Sequence, residues 1–569
     1  MSAEAPAALL AREIVTELVR GGVGHVVLAP GSRSAPLAYA LLSAHGAGWL
    51  RLHVRVDERV AGFVALGLAR AEGAPVAVVT TSGTAVANLH PAVLEAAHSG
   101  VPLVVVSADR PHEMRRTGAN QTTEQVGIFA AAPRWAADLP ADTPPAAARQ
   151  VVVRALAAAT GARSGDPGPV HLNLAFRDPL VPAAPWEPGP VPARRAVVAA
   201  RGAGTAAELP AGGRTVVVAG DGAGPDAARV AEVGGWPLLA EPTSGARTGP
   251  NVIAAYRLLL AELGRDVERV LVFGHPTLSR PVSALLARTD VDVVVVAPTG
   301  AVWPDVAGTA GRVVDAVGVT PPPPAGSSLP AESAPTGRRR PSGAWLRRWQ
   351  DAGTAAEAVL DAHEGLDGLT VARAVADAAV RDHAAGKPGV LVLGSSMTVR
   401  DWDLAVPALP EGLRVISNRG LAGIDGTIAT ATGLALATGA PVRAVVGDLT
   451  FLHDAGALLR GQLEEEVDLQ VVLLNDRGGS IFATLEHGAP ERAASFERVF
   501  GTPQEVDVAA LSAGYGARHT PVRTLEELAT ALAEPVRGRS VVEVVLERSE
   551  LRAERAELAA KVTAASRSA

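Results

Sequence analysis

Along the chain, apolar residues fall in short unbroken runs rather than in alternation. Residues 25–29, 76–80, 103–107 and 170–174 form a first set rich in Val and Leu, with helix-length segments between them. A second set comprises 215–219, 269–273 and 291–296, and a third comprises 390–393, 414–416, 443–446, 469–474 and 541–546. Strands buried on both faces of a parallel sheet have this pattern, because neither face needs polar residues. The expected fold class is therefore α/β, with three successive doubly wound parallel-sheet units.

Prolines mark where the units part. Pro182, Pro185, Pro188, Pro190 and Pro192 crowd one stretch, while 320–341 combines a proline run starting at Pro321 with Arg338, Arg339 and Arg340. Both stretches read as linkers, and the arginine run reads as a solvated face of the second. The expected organisation is a first domain over 1–182, a central Rossmann-like domain over 193–319, a flexible linker over 320–343, and a last domain over 344–569. Helical spacing over 345–363 predicts a helix leading into that last domain.

Composition narrows the function classes. At 569 residues, 48% of them hydrophobic and 20% charged, the chain can bury a large core and is not disordered. A net charge of −7 without a basic stripe argues against nucleic-acid binding. The absence of cysteine removes disulfides, thiolate metal sites and cysteine nucleophiles. Residues 74–94 lack formal charge but carry Thr80, Thr81, Ser82, Gly83, Asn88 and Pro91, so no membrane span is expected. The first residues include Glu4 and no basic n-region, so no secretory signal is expected and cytoplasm is the default location. Histidines 25, 53, 90, 98, 112 and 453 have no zinc-helix spacing and read as structural or surface groups.

Two strand ends carry the clearest chemistry. One apolar run ends in Gly447-Asp448-Leu449, and the next ends in Asn475-Asp476-Arg477-Gly478-Gly479. Carboxyl ends of neighbouring parallel strands border the ligand crevice, so Asp448 and either Asn475 or Asp476 can share one ion. Oxygen donors without thiol or imidazole favour a hard cation, and Mg2+ takes few protein ligands, completing its octahedron with phosphate and water. A diphosphate held through Mg2+ fits; the competing reading is a helix cap after one strand and an Asn-Asp turn after the other. Gly220-Asp221-Gly222 mimics the first half of this pattern, but no donor-bearing strand end follows at suitable spacing, and it reads as a tight turn. Asp57 and Glu58 open a helical segment, where a cap and a first-turn carboxylate are favoured.

Taken together, Gly447-Asp448, Asn475-Asp476, Glu58 and Thr81-Ser82-Gly83-Thr84-Ala85 resemble the motifs of thiamine-diphosphate-dependent enzymes of the pyruvate oxidase and acetohydroxyacid synthase type. A narrower resemblance is carried in the first domain by Ala29-Pro30-Gly31-Ser32-Arg33-Ser34, Asp57-Glu58-Arg59, Ala108-Asp109-Arg110-Pro111 and Gly118-Ala119-Asn120-Gln121. In the last domain it is carried by Ser417-Asn418-Arg419-Gly420, Gly423-Ile424-Asp425-Gly426 and Gly478-Gly479-Ser480-Ile481-Phe482. These are similar to the 2-succinyl-5-enolpyruvyl-6-hydroxy-3-cyclohexene-1-carboxylate synthases of menaquinone biosynthesis, the MenD family. The resemblance spans Ala29 to about Gly501, with little of it in the middle domain or linker.

The resemblance implies a pyruvate oxidase-like, three-domain transferase that uses thiamine diphosphate and Mg2+ or Mn2+. Such an enzyme decarboxylates 2-oxoglutarate and adds the resulting succinyl carbanion equivalent to isochorismate. The first domain would bind the cofactor's pyrimidine and the last its diphosphate. Glu58 would hydrogen-bond the aminopyrimidine and promote loss of the thiazolium C2 proton. Pro30, Ser82, Gly447, Asp448, Leu449, Asp476, Gly479 and Ile481 would also contact the cofactor, and Ile424 would bend it. Asp448, Asp476 and the Gly478 carbonyl would ligate the metal. This chain has Leu449 where the familiar motif has glycine, and Asp476 where Asn-Asn is common. The run Glu464-Glu465-Glu466 suggests a length change that keeps Asn475 as an alternative ligand.

Both implied substrates are dicarboxylic, and guanidinium forks suit carboxylates. Ser32, Arg33, Arg110, Asn120, Gln121, Ser396, Arg400 and Arg419 would receive them, with Arg280 of the middle domain joining and Phe482 and Leu485 as apolar walls. Gln121, Arg400 and Arg419 stand with Glu58 as the catalytic set. The family's site lies between the first domain of one subunit and the last of its neighbour, which implies a homodimer or homotetramer with a structural middle domain. Rival readings are another thiamine-diphosphate carboligase, possibly with flavin in the middle domain, and a non-catalytic binding protein on the same scaffold.

Overall fold

The computed structural model describes residues 4–195, 197, 204–300, 302–320, 342–387 and 389–568. Most of the expected linker, residues 321–341, lies outside the described residues. The first unit contains β1 (His25–Leu28), β2 (Arg51–Val54), β3 (Val76–Thr80), β4 (Leu103–Asp109), β5 (Trp135–Leu139) and β6 (Val170–Ala175). They form one parallel sheet in the order β2-β1-β3-β4-β6-β5. The unbroken apolar runs occupy its interior: every residue of β3, β4 and β6 is buried.

The middle unit contains β7 (Ala206–Pro210), β8 (Thr215–Ala219), β9 (Leu238–Ala240), β10 (Arg269–Phe273), β11 (Asp292–Val296), β12 (Ala310–Val314) and β13 (Ala316–Thr320). Five strands form a parallel sheet, β12-β11-β10-β8-β9, while β7 and β13 pair separately. The last unit contains β14 (Val390–Leu393), β15 (Arg414–Ile416), β16 (Val442–Gly447), β17 (Leu469–Asn475), β18 (Arg518–Val522) and β19 (Arg539–Val545). Their order, β15-β14-β16-β17-β19-β18, repeats that of the first sheet strand for strand. In both, winding reverses between the first and third strands, the place where a ligand crevice opens at the carboxyl edge.

The two matching units meet through matching helices. Glu58–Glu72, which follows β2, packs on Thr427–Thr438, which follows β15, and Phe63, Val64, Leu68, Ile428 and Leu434 share one apolar core. The helices approach to backbone contact. A Cβ on Gly67 would lie 2.1 Å from the Thr430 carbonyl oxygen, and one on Gly433 would lie 2.2 Å from that of Val64. The helix Ser342–Asp361 bridges the middle and last units, because Trp345 and Trp349 join a core that spans both and Trp345 Nε1 donates to the Thr215 carbonyl at 2.8 Å.

Candidate active site

Parallel pairing of Gly447 with Leu474 brings the ends of β16 and β17 side by side. Asp448, Leu449, Asp476, Gly478, Gly479 and Ile481 then border one cleft, together with Gly447, Ser396, Ile424 and Phe482. Asp448 is buried, its carboxylate accepts the Leu449 N–H at 2.7 Å, and burial raises its pKa against the opposing pull of the Gly478 N–H. Asp476 is pushed up to about 7 by burial, with the nearby Asp448 charge raising it further and the Ser480 hydroxyl donating to it. Two crowded oxygen donors of this kind fit a hard divalent cation. Among the described residues no cluster of three or more His, Asp or Glu forms a complete metal cage, so water and phosphate oxygens would fill the remaining positions.

Asn475 is engaged elsewhere. Its Nδ2 donates to Glu543 Oε1 at 2.6 Å and its Oδ1 accepts the Arg477 N–H at 3.3 Å, whereas Asp476 faces the cleft. Gly478 has φ +146°, and a Cβ there would strike the Gly501 carbonyl oxygen at 2.3 Å, so the turn requires glycine. The Gly478 carbonyl accepts the Ser480 N–H at 3.0 Å. Arg548, which the sequence did not single out, secures this turn by donating to the Asp476 carbonyl at 3.0 Å and the Arg477 carbonyl at 3.2 Å.

The first sheet presents a second group at its carboxyl edge. Pro30, Ser32 and Arg33 follow β1, Ser82 follows β3, and Arg110 follows β4. Asp57 caps the next helix by accepting the Arg59 and Val60 amides at 2.9 and 3.2 Å, which sets Glu58 in the first turn. Glu58 Oε2 accepts from Asn88 Nδ2 at 3.4 Å. Ser82 and Gln121 clasp one another, with Ser82 Oγ donating to the Gln121 carbonyl at 2.9 Å and Gln121 Nε2 donating to the Ser82 carbonyl at 3.0 Å. Arg110 is buried against the Ser82 hydroxyl, and its pKa is lowered by burial and then by Arg33. Arg33 donates to the Phe176 carbonyl at 3.0 Å and pairs with Asp178 at 3.3 Å. Like charges held this close suit an anionic ligand.

Gln125, also absent from the sequence reading, braces this edge: its Oε1 accepts the Gly83 N–H at 2.9 Å and its Nε2 donates to Asn173 Oδ1 at 2.8 Å. Pro30, Ser32, Asn120 and Gln121 are exposed and Glu58 is half-buried. None of them borders the cleft around Asp448, which is lined entirely by the last unit.

The remaining arginines divide. Arg400 donates to the Ser396 carbonyl at 2.7 Å, and burial, followed by the charges of Arg419 and Arg257, lowers its pKa to about 10. Arg419 is only 3% exposed and donates to Thr277 Oγ1 at 2.9 Å. Arg280 is exposed and pairs with Glu486 at 2.5 Å, one residue beyond the half-buried Leu485, so the structure does not bring it to the cleft. Asp221 of the look-alike motif is half-buried and stands 3.6 Å from Arg70, as an ion pair between the first and middle units.

Two family models match the chain: residues 10–128 match "Thiamine pyrophosphate enzyme, N-terminal TPP binding domain", and residues 402–545 match "Thiamine pyrophosphate enzyme, C-terminal TPP binding domain". Thiamine pyrophosphate is the same compound as thiamine diphosphate. The chain is 51% identical to a 2-succinyl-5-enolpyruvyl-6-hydroxy-3-cyclohexene-1-carboxylate synthase of Kineococcus radiotolerans, over 98% of this chain and 99% of that protein. It is 50% identical to the synthase of the same name from Paenarthrobacter aurescens, over 98% of this chain and 96% of the relative. A Nocardioides relative of the same name is also 50% identical, over 95% of each chain.

Proposed function

The chain belongs to the 2-succinyl-5-enolpyruvyl-6-hydroxy-3-cyclohexene-1-carboxylate synthase family, and from that premise we propose that it makes this compound in menaquinone biosynthesis from 2-oxoglutarate and isochorismate, releasing CO2. The observation that carries the reading is the pair of crowded carboxylates, Asp448 and Asp476, at adjacent strand ends beside the Gly478-Gly479 turn. They would hold Mg2+ or Mn2+ and through it the cofactor's diphosphate. Gly447, Leu449, Gly479 and Ile481 would border the diphosphate, and Ile424 the rings. When bound, thiamine diphosphate supplies the electron sink for decarboxylation and the carbon nucleophile for bond formation.

Glu58 would hold a proton against the cofactor's pyrimidine nitrogen, with Pro30 and Ser82 beside the ring. Arg33 and Arg110 with Ser32, Asn120 and Gln121, and Arg400 and Arg419 with Ser396, form two cationic sets suited to dicarboxylic acids. Phe482 and Leu485 would keep water from the reacting carbon, while Arg280, held by Glu486 away from the cleft, takes no part.

Glu58 and the exposed residues around it need a partner surface. Val56, 68% exposed, stands two residues from Glu58, and the cleft around Asp448 contains no residue of the first unit. A homodimer, or a pair of dimers, in which one subunit's Glu58 faces the other's Asp448 meets that need. No helix among the described residues is long and apolar enough to cross a membrane, and the proposed setting is the cytoplasm. The test is consumption of isochorismate by purified protein given thiamine diphosphate, Mg2+ and 2-oxoglutarate, with the product identified by mass. Isochorismate should disappear only when all components are present. Persistence of isochorismate with a folded, cofactor-loaded protein would refute the assignment.

A further inference from the structure

Arg419 lies in a loop that all three units hold. From the first unit, Arg70 donates to the Ser417 carbonyl at 2.7 Å. Glu95, also of the first unit and 4% exposed, accepts the Gly420 and Leu421 amides at 2.8 Å each, one on either carboxylate oxygen. Ser99 Oγ adds a third hydrogen bond to Glu95 at 2.8 Å. The fit leaves no room at Gly420, where a Cβ would lie 2.6 Å from Ser99 Oγ and 2.9 Å from the Glu95 carbonyl oxygen. Within the last unit, Ser395 Oγ donates to the Asn418 carbonyl at 2.6 Å.

The middle unit reaches the guanidinium itself. Thr277 Oγ1 accepts from Arg419 Nη2 at 2.9 Å. Thr277 is in turn fixed by Glu241, which follows β9 and is 2% exposed; its Oε1 accepts the Thr277 and Leu278 amides at 3.0 and 2.9 Å. The other hydrogen bond of Arg419 among the described residues is to the Ser395 carbonyl at 3.5 Å. Its hydrogen bonds among the described residues thus go to neutral oxygens, which orient a buried guanidinium and leave its remaining N–H groups for a carboxylate, while Glu241 and Asp221 offset part of its charge from further away.

We propose that Glu95 and Thr277 are positioning residues for Arg419, so that the first and middle domains aim the guanidinium at a dicarboxylic substrate. The inference rests on the substrate-binding role given to Arg419 above, and it gives the middle domain a part in specificity beyond structure. Glu95 fixes the backbone on one side of Arg419, and Thr277 fixes the end of its side chain. Glu241 acts one step further out, through the Thr277 backbone.

The experiment is steady-state kinetics of the cofactor-loaded enzyme, with KM measured separately for each dicarboxylic substrate. Thr277→Val keeps the shape but removes the acceptor, and should raise one substrate's KM roughly tenfold while kcat stays within about twofold. Thr277→Ser restores the hydroxyl and should restore that KM. Glu95→Gln replaces an acceptor with an N–H group facing an amide, and should raise the KM of the same substrate. A loss confined to kcat and melting temperature, with both KM values unchanged, would mean purely structural roles and overturn the inference. Arg419→Ala separates the two levels. If it leaves both KM values unchanged, the substrate role of Arg419 fails; if it raises one and Thr277→Val does not, only the positioning inference fails.

Discussion

In the proposed function Glu58 holds one proton, a role that glutamine cannot fill. Glu58→Gln should therefore lower turnover by roughly 100-fold or more, while calorimetric cofactor affinity changes much less. Asp476→Asn should instead weaken Mg2+ binding, read directly by metal titration in the presence of thiamine diphosphate. His171 governs a different observable. It is buried on β6, its Nε2 lies 2.7 Å from Ser107 Oγ, and burial lowers its pKa from 6.5 to about 4. The unfolded chain takes up that proton first, so this contribution to stability is complete above pH 6.5 and is lost as pH falls toward 4, by ~3 kcal/mol. Denaturant melts across that range should show the loss, and His171→Gln should flatten it. Candidate residues such as Asp448, Asp476 and Arg110 could be singled out because their local sequence is distinctive. Gln125, Arg548 and Glu95 were not, because their partners lie 42, 72 and 325 residues away and no local pattern marks them.

At the scale of elements, burial explains what the sequence revealed. Interior strands such as β3, β4 and β6 stood out as continuous apolar runs because both faces are covered. The strands without that signal are the edges β5, β9, β12 and β18 and the separate pair β7 and β13. Arg518–Val522, for example, mixes Arg, His, Thr and Pro along an edge where only one residue is buried. Helix contacts were equally silent, since Gly67 and Gly433 look like ordinary glycines until their helices are brought together. Gly67→Val would drive a side chain into the Thr430 carbonyl, which backbone cannot yield, and should cost roughly 3 kcal/mol in chemical denaturation. The same change at Gly73, which has open space but φ +61°, should cost less, through backbone strain alone.

For the whole molecule, the arrangement of the two half-sites sets the behaviour. The sequence displayed both candidate halves, and only the family resemblance implied that they are shared between subunits; the residues alone could not place Glu58 outside its own chain's Asp448 cleft, because that separation is a property of packing. If the site is shared between subunits, mixing inactive Glu58→Gln and Asp448→Asn proteins under exchange should recover about a quarter of wild-type activity, since half the dimers are mixed and each has one intact site. Sites confined to single chains would recover none. The reaction itself is tested most directly by CO2 release from 2-oxoglutarate in the presence of thiamine diphosphate and Mg2+, measured with and without isochorismate. Release should depend on isochorismate and match its consumption one for one. Release indifferent to isochorismate, or none from folded and cofactor-loaded protein, would contradict the assigned reaction.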